Sequence, residues 1–203
     1  MKIAVFGGSF NPVHKGHTGL AVTVKEKLEL DRLIIVPAYV SPFKSGNGAA
    51  APQQRLEMCR LAFEKIPCAE VSDIEICRGG ASYTYLTLEE LSETYRNDQL
   101  FFVTGADMFL SIHTWKYPER IFKRAAICGI PRNDCDSRQL EKQAAYLHTL
   151  GAETVILDVS VMTVSSTQVR EAVRNGEDIS AFVDDKVAAY IRNNGLYRQK
   201  PTC

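Results

Sequence analysis

Two histidines near the start of the chain have types and a spacing that suit chemistry on phosphate groups. His14 and His17 lie three residues apart in GGSFNPVHKGH, residues 7–17. If a helix has begun there, both side chains share a face at its positively polarised start, where backbone N–H groups bind phosphate. Imidazole N–H groups at that point can stabilise charge that grows on phosphoryl oxygens. Two alternatives stay open: a loop with two solvated histidines, and a metal site, which is disfavoured because no carboxylate or thiolate accompanies the pair.

Small residues and a turn precede the two histidines. Gly7 and Gly8 allow the backbone to turn tightly and to approach a ligand closely. Asn11 and Pro12 favour a turn just before the histidines. The pattern differs from the G-x-G-x-x-G dinucleotide fingerprint and lacks the Lys-Ser/Thr pair of the phosphate-binding P-loop, so it identifies neither of those sites.

A second candidate phosphate site lies near the other end of the chain, in the segment VSSTQVR. Ser165 and Gln168 have the spacing of a helix capping box. Ser166 and Thr167 add hydroxyl groups at the helix start, and Arg170 follows within a turn. Backbone N–H groups, hydroxyls and a guanidinium together can bind a polyphosphate. A well-capped surface helix explains this motif about equally well.

The elements that would position these motifs alternate along the chain. Continuous apolar runs, typical of buried parallel strands, are separated by patterns with apolar residues on one helical face. The strand segments are KIAVF, RLIIVP, LFFVTG, AAICGIP and TVILDV, with AEVSDIEI as a candidate edge strand. Helices are predicted at 16–30, from Pro52 through Phe63, from Ser82 as cap to Tyr95, after Pro118, and at 137–150, 166–175 and 181–193. This order predicts an α/β fold, a parallel sheet with helices on both faces.

The histidine segment directly follows the first predicted strand. In parallel sheets, ligands bind beyond the carboxyl ends of the strands, where the strand order reverses, so the motif and the fold point to the same edge. The 203 residues suit one domain, with an α/β core at 1–163 and a small helical lobe at 164–203.

Composition and charge narrow the classes of function. The formal net charge is zero, which argues against a nucleic-acid binder. No apolar run reaches the roughly 20 residues that span a bilayer, and we expect a cytoplasmic protein without membrane association. The six cysteines contain no C-x-x-C pair and are interpreted as free thiols, with Cys203 the most exposed. The sequence leaves open whether the chain forms a homo-oligomer.

The two motifs together are far more specific than either one. GGSFNPVHKGH followed by SSTQVR resembles the HxGH-type nucleotidyltransferases, whose fold is Rossmann-like. The segments SYTYLTLEEL, FFVTGADMFLSIHTWKYPERIF and VDDKVAAYIRNNGLY extend the resemblance over nearly the full length, to the bacterial nicotinate mononucleotide adenylyltransferases. Phosphopantetheine adenylyltransferases share the two motifs but are shorter and lack the middle segments. The resemblance implies transfer of adenylate from ATP to nicotinate mononucleotide, with Mg²⁺ on the phosphates, giving deamido-NAD and pyrophosphate.

The resemblance also implies roles for residues on the ATP side. His14 and His17 would contact the phosphates, with His17 nearest the α-phosphate, and Lys44 would approach from the loop after the second strand. Arg170 would hold the β- and γ-phosphates together with two neighbouring hydroxyls. The remaining ATP-side residues are Gly7, Gly8, Ser9, Phe10, Ser166 and Thr167.

For the mononucleotide, the resemblance implies a pyridine ring stacked on Trp115, with backbone N–H groups near Thr84 and Tyr117 meeting its carboxylate. Gly105 and Asp107 would bind ribose hydroxyls. Without the resemblance, we would interpret Trp115 as a packing residue, Asp107 as a helix cap and Lys44 as a solvated side chain.

The sequence departs from the family pattern at three positions, and several functions stay open. Ala38 stands where an asparagine is common, Phe43 where a histidine is common, and Leu86 where an acid is common. The alternatives are a related enzyme that takes the amide mononucleotide or another phosphate acceptor, and a non-catalytic nucleotide-binding module. Intact motif residues argue against the last, and no lone cationic side chain in the sequence reveals a preference for acid or amide.

Overall fold

The structure is a computed structural model that describes residues 1–42, 49–131, 134–157, 159 and 164–199. Three residues discussed above, Phe43, Lys44 and Cys203, lie outside the described residues. The ATP-side role of Lys44 and the exposure of Cys203 therefore stay predictions.

A six-stranded sheet in the order β3-β2-β1-β4-β5-β6 forms the centre of the described structure, and all neighbouring strands pair in parallel. The strands are β1 (Lys2–Gly8), β2 (Arg32–Pro37), β3 (Ala69–Val71), β4 (Gln99–Gly105), β5 (Ala126–Ile130) and β6 (Thr154–Ile156). The chain builds outward from β1 to β3 and then returns to pair β4 with the other side of β1. The predicted parallel sheet is confirmed, and its strand order reverses between β1 and β4, where a crevice for ligands is expected.

Helices connect the strands and cover both faces of the sheet. They are α1 (Lys15–Leu28), α2 (Pro52–Phe63), α3 (Ile74–Arg78), α4 (Thr84–Thr94), α5 (Ala106–Ser111), a 3₁₀ turn at Ile112–Thr114, α6 (Pro118–Phe122), α7 (Asp134–Thr149), α8 (Ser166–Arg174) and α9 (Asp185–Asn193). Among the described residues, no helix is both long enough and apolar enough to cross a bilayer.

The alternation of side chains along β1 divides the core into two layers. Ala4 and Phe6 pack in one cluster with residues of α1, α2, α8 and α9. Ile3 and Val5 pack on the opposite face with residues of α4 to α7. Every one of these four side chains is buried. A strand that is apolar on both faces is the reason why KIAVF shows no polar alternation.

The segment AEVSDIEI is only partly a strand, which corrects the prediction. Pairing with β2 ends at Val71, and α3 begins at Ile74. The inward-facing residue of this helix is Glu75, only 7% exposed, whose carboxylate accepts a hydrogen bond from the Thr87 hydroxyl on α4 at 2.5 Å. A buried hydrogen bond from a distant hydroxyl therefore holds the Glu75 carboxylate in a helical turn where the apolar alternation indicated a continued strand. The expected edge position is confirmed, because β3 is an end strand of the sheet.

Two predicted helix starts are also wrong. Ser82 does not cap α4, since Tyr83 holds that position and the Ser82 hydroxyl instead accepts a hydrogen bond from the Tyr39 N–H at 2.8 Å. The last helix begins at Asp185 rather than 181 because the Asp184 carboxylate caps it through the Lys186 N–H. In both cases a long-range or local side-chain bond overrides the apolar periodicity.

Candidate active site

The two histidines lie at the start of α1, immediately beyond the carboxyl end of β1. His14 is the residue that precedes the first helical turn, and His17 is the third residue of that turn. Their ring centroids are 3.7 Å apart at an interplanar angle of 30°. The sequence prediction that the pair shares a helix face is therefore confirmed. The helix start also directs its first backbone N–H groups toward the same edge of the sheet.

Burial and hydrogen bonding set the protonation of the two rings. His14 is 8% exposed, and burial lowers its pKa to about 4 from the ordinary value of 6.5. Its Nδ1 atom is buried without a hydrogen-bond partner among the described residues. In His17, Nδ1 accepts a hydrogen bond from the His14 backbone N–H at 3.2 Å, which leaves the proton of a neutral His17 ring on Nε2. At neutral pH, His14 is thus a neutral imidazole, suited to hydrogen bonding rather than to carrying a positive charge.

The loop between β1 and α1 is held by packing of Phe10. This residue has φ of 44°, a left-handed conformation that non-glycine residues rarely adopt. Its ring is 2% exposed and meets Phe6 edge-on at 5.5 Å and His17 at 5.0 Å. A Cβ at Gly8 would lie 3.1 Å from the same ring, so a glycine there lets Phe10 fold back over the strand end. Phe10 thus anchors the loop in the core, and only its backbone is free to face a ligand.

The start of α8 lies against the same loop. The Ser166 hydroxyl donates to the Pro12 carbonyl at 2.9 Å, and the Arg170 guanidinium donates to the Asn11 carbonyl at 2.8 Å. Arg170 also donates to the Thr167 hydroxyl at 3.1 Å. The structure therefore brings together the two motifs that the sequence separates by about three quarters of its length. The Ser166 hydroxyl and one guanidinium nitrogen of Arg170 thus hold the loop in place. The family resemblance implied phosphate binding for these side chains but not this structural role.

A capping box fixes the first turn of α8. The Ser165 hydroxyl accepts a hydrogen bond from the Gln168 N–H at 3.2 Å, and the Gln168 side-chain carbonyl accepts one from the Ser165 N–H at 2.8 Å. This confirms the prediction from the Ser-x-x-Gln spacing. The box uses the N–H groups of Ser165 and Gln168, so this helix start can present the backbone N–H groups of Ser166 and Thr167 and the side chains of Thr167 and Arg170 to a ligand.

Arg55, on α2, supports the loop and was missed at the sequence level. Its side chain is 5% exposed and donates to three backbone carbonyls, Ser9 at 2.7 Å, Tyr39 at 2.9 Å and Ala50 at 3.2 Å. Burial lowers the pKa of the guanidinium, which nevertheless stays protonated at neutral pH. Arg55 lies one helical turn before Cys59, on the apolar stripe of α2, and a charge in that stripe is the signal that could have revealed it.

Asn11 receives a second set of contacts from distant parts of the chain. Its side-chain carbonyl accepts hydrogen bonds from the Tyr197 hydroxyl at 2.7 Å and from the Ala50 N–H at 3.0 Å. Burial raises the pKa of the Tyr197 phenol, so the hydroxyl stays protonated and remains a donor. The segment after α9 thereby contacts the loop between β1 and α1. No local pattern in the sequence NNGLY indicates this contact.

A cleft of about 90 Å³ lies at the same edge of the sheet, beyond β2 and β4. It is lined by Pro42, Ser82, Tyr83, Thr84, Thr114, Trp115, Lys116 and Ile121. The Trp115 ring is half-buried, meets Phe102 edge-on at 6.1 Å, and donates from Nε1 to the Ser111 hydroxyl at 3.4 Å. Two of the residues predicted around the pyridine ring, Thr84 and Trp115, therefore face one cavity.

Other predicted residues lie outside the lining of this cleft. Tyr117 adopts φ of 53° before α6 and is 47% exposed, with its ring edge-on to Tyr85 at 5.1 Å. Gly105 ends β4 and precedes α5, and Asp107 lies in the first turn of α5. Both lie at the carboxyl end of β4, the strand that borders the reversal point of the sheet, so their ribose roles stay predictions with a consistent location.

Comparisons with known proteins identify the family of the chain. A model of the family described as cytidylyltransferase-like matches residues 5–172. A probable nicotinate-nucleotide adenylyltransferase of Roseiflexus castenholzii is 39% identical over 197 residues, covering 97% of this chain and 98% of that protein. The corresponding protein of Carboxydothermus hydrogenoformans is 37% identical over 198 residues, covering 97% and 98%.

A solved structure gives an independent comparison of the fold. The Plasmodium falciparum nicotinic acid mononucleotide adenylyltransferase in complex with NaAD superposes with a TM-score of 0.77 at 18% identity, covering 97% of both chains. At that identity the likeness concerns the fold alone. It confirms the Rossmann-like α/β architecture expected from the order of strands and helices.

Proposed function

We propose that this protein, which belongs to the nicotinate-nucleotide adenylyltransferase family, transfers the adenylyl group of ATP to the 5′-phosphate of nicotinate mononucleotide. The products are deamido-NAD and pyrophosphate, and the reaction is a step of NAD biosynthesis. One observation carries the proposal: the adjacent rings of His14 and His17 at the start of α1 and the hydroxyl-bearing start of α8 meet at one loop. That loop lies at the carboxyl edge of the sheet, as the Trp115 cleft does.

The chemistry needs no protein nucleophile. An oxygen of the mononucleotide phosphate, already an anion, attacks the α-phosphorus of ATP, a new P–O bond forms, and the bond to the leaving pyrophosphate breaks. Catalysis then depends on alignment and on stabilisation of charge as it shifts toward the leaving group. ATP enters as its Mg²⁺ complex, so the cation is part of the substrate. This is why a site without a Ser-His-Asp arrangement is adequate.

We assign the residues to two halves of the site. His17, with its neutral-state proton on Nε2, donates to an oxygen of the α-phosphate, and neutral His14 supports the same phosphates. Thr167 and Arg170 meet the β- and γ-phosphates, while Ser166 holds the loop and adds its backbone N–H. The other proposed contacts are Lys44 and the backbone of Gly7 to Phe10 for ATP, and Thr84, Trp115, Tyr117, Gly105 and Asp107 for the mononucleotide.

The test is a turnover assay with matched histidine variants. Purified protein with ATP, Mg²⁺ and either nicotinate or nicotinamide mononucleotide should release pyrophosphate and dinucleotide, with the acid form preferred. His17→Asn should lower kcat by about 10²–10³-fold, the usual effect of removing one donor to developing charge. His148→Asn, at an exposed position late in α7, should leave kcat unchanged. Folded protein that makes no dinucleotide from either substrate would defeat the proposal, and a normal His17→Asn rate would remove that assignment.

The proposed enzyme is a single domain that acts in the cytoplasm. The whole chain acts as one nucleotidyltransferase domain, because residues of α8 and α9 share a core cluster with β1 and α1. We place it in the cytoplasm, where ATP and pyridine mononucleotides are available. Size-exclusion chromatography with light scattering would decide between a monomer and a homo-oligomer.

A further inference from the structure

We propose that Lys116 makes the cleft select the acid form of the mononucleotide over the amide form. The inference rests on the proposed function and deepens it by naming a residue that determines specificity. Nicotinate and nicotinamide differ by one negative charge at nearly constant shape, so a cleft can separate them by its electrostatic potential. A lysine beside the ring site is the simplest source of such a potential.

Lys116 lies in the lining of the cleft beside Trp115, the residue proposed to stack on the pyridine ring. Its Nζ atom lies 4.3 Å from the ring centroid of Tyr83 and 5.6 Å from that of Tyr117. Cation–π contacts of this kind orient an ammonium group without neutralising its charge. The two rings therefore hold the ammonium group beside the cleft.

Neighbouring charges do not cancel this one. Arg120 also stands near the cleft residues, but its guanidinium is paired with both carboxylate oxygens of Glu89, at 2.8 and 2.6 Å. Within the ranges that the structure describes, no carboxylate lies within ion-pair distance of the Lys116 ammonium. Among the described residues, the Lys116 ammonium thus stands at the ring site without a paired carboxylate, which favours a carboxylate on the ligand and gives a carboxamide no equivalent gain.

The expected effect is a change in preference rather than in general affinity. Lys116 is exposed, so its interaction with a bound carboxylate lies between the limits for bulk water and for a protein surface. We expect it to contribute about tenfold to the ratio of acid to amide affinity, which corresponds to about 1.4 kcal/mol. Added salt should reduce the ratio, because an exposed pair is screened.

The chain offers a direct optical probe of this site. Trp115 is its single tryptophan, so quenching of intrinsic fluorescence reports binding at the cleft. Nicotinate mononucleotide and nicotinamide mononucleotide would each be titrated into the wild type, Lys116→Met and Lys116→Arg. Lys123→Met is the matched control, because Lys123 is an exposed lysine outside the cleft lining.

In Lys116→Met, the acid-to-amide affinity ratio should fall about tenfold and lose its salt dependence, while Lys116→Arg and Lys123→Met should keep the wild-type ratio. An unchanged ratio in Lys116→Met, or an equal loss for both ligands, overturns the inference. So does a failure of both mononucleotides to quench Trp115. Turnover measured in parallel distinguishes failure of this inference from failure of the proposed function. If product forms but the acid-to-amide affinity ratio does not change in Lys116→Met, only the role of Lys116 is refuted. If no product forms from either substrate, the proposed function is refuted.

Discussion

The buried, neutral state of His14 makes the stability of this protein depend on pH in a calculable way. In the unfolded chain a histidine titrates near pH 6.5, whereas burial lowers the pKa of His14 to about 4 in the folded protein. As the pH falls below 6.5, the unfolded state therefore binds a proton that the folded state does not. The stability that the folded state gains from a neutral His14 is fully present above pH 6.5 and is lost progressively as the pH falls toward 4.

The size of the loss follows from the two pKa values. Linkage gives about 2 kcal/mol of unfolding free energy lost from pH 7 to pH 5, and about 3 kcal/mol by pH 4. The physical cause is the missing partner: Nδ1 of His14 is buried without an acceptor among the described residues, and the ring lies against His17. Protonating it in place would bury an unpaired charge.

The assay is urea unfolding at a series of pH values for the wild type and for His14→Asn, which cannot titrate. The difference between the two curves isolates His14 from the carboxylates and from the three other histidines, His17, His113 and His148. The wild type should lose about 2 kcal/mol more than the variant between pH 7 and pH 5. Parallel curves would refute the reasoning, and so would an imidazole titration of His14 near pH 6.5 in the NMR spectrum of the wild type.

Two further changes test the packing around the site by chemical denaturation. Arg55→Met leaves three carbonyls without their donor, one buried and two partly buried, and should cost about 3 kcal/mol or more. Arg55→Lys should recover only part of that stability, and a cost of Arg55→Met below about 1 kcal/mol contradicts the assigned support. Gly129→Ala sets a Cβ 2.7 Å from the buried ring of Phe109 and should cost about 1–3 kcal/mol. Gly19→Ala, in α1 with no atom within 4 Å, should instead stabilise by about 0.5–1 kcal/mol, and equal effects would exclude the clash.

The positions of the two motifs on the fold were predictable from the sequence because the patterns that indicate strands and helix starts lie within a few neighbouring residues. Continuous apolar runs identified the strands, and the Ser-x-x-Gln spacing identified the capping box of α8. The sequence also predicted that His14 and His17 share a helix face, since three residues span less than one helical turn. The errors at AEVSDIEI and at Ser82 occurred where a distant partner, Thr87 or Tyr39, satisfies a polar group that the pattern treated as local.

By itself, then, the sequence determined the order of strands and helices, the edge of the sheet at which the candidate site lies, and the residue types gathered there. Only the tertiary structure decided how those residues are held and charged. The bond from Ser166 to Pro12 crosses 154 residues, and the burial of His14 and Arg55 depends on elements packed from both ends of the chain. The physical reason is that periodicity and turn preference act within a few residues, whereas the burial and lowered pKa of His14 and the ring contacts of Lys116 are properties of the packed surroundings.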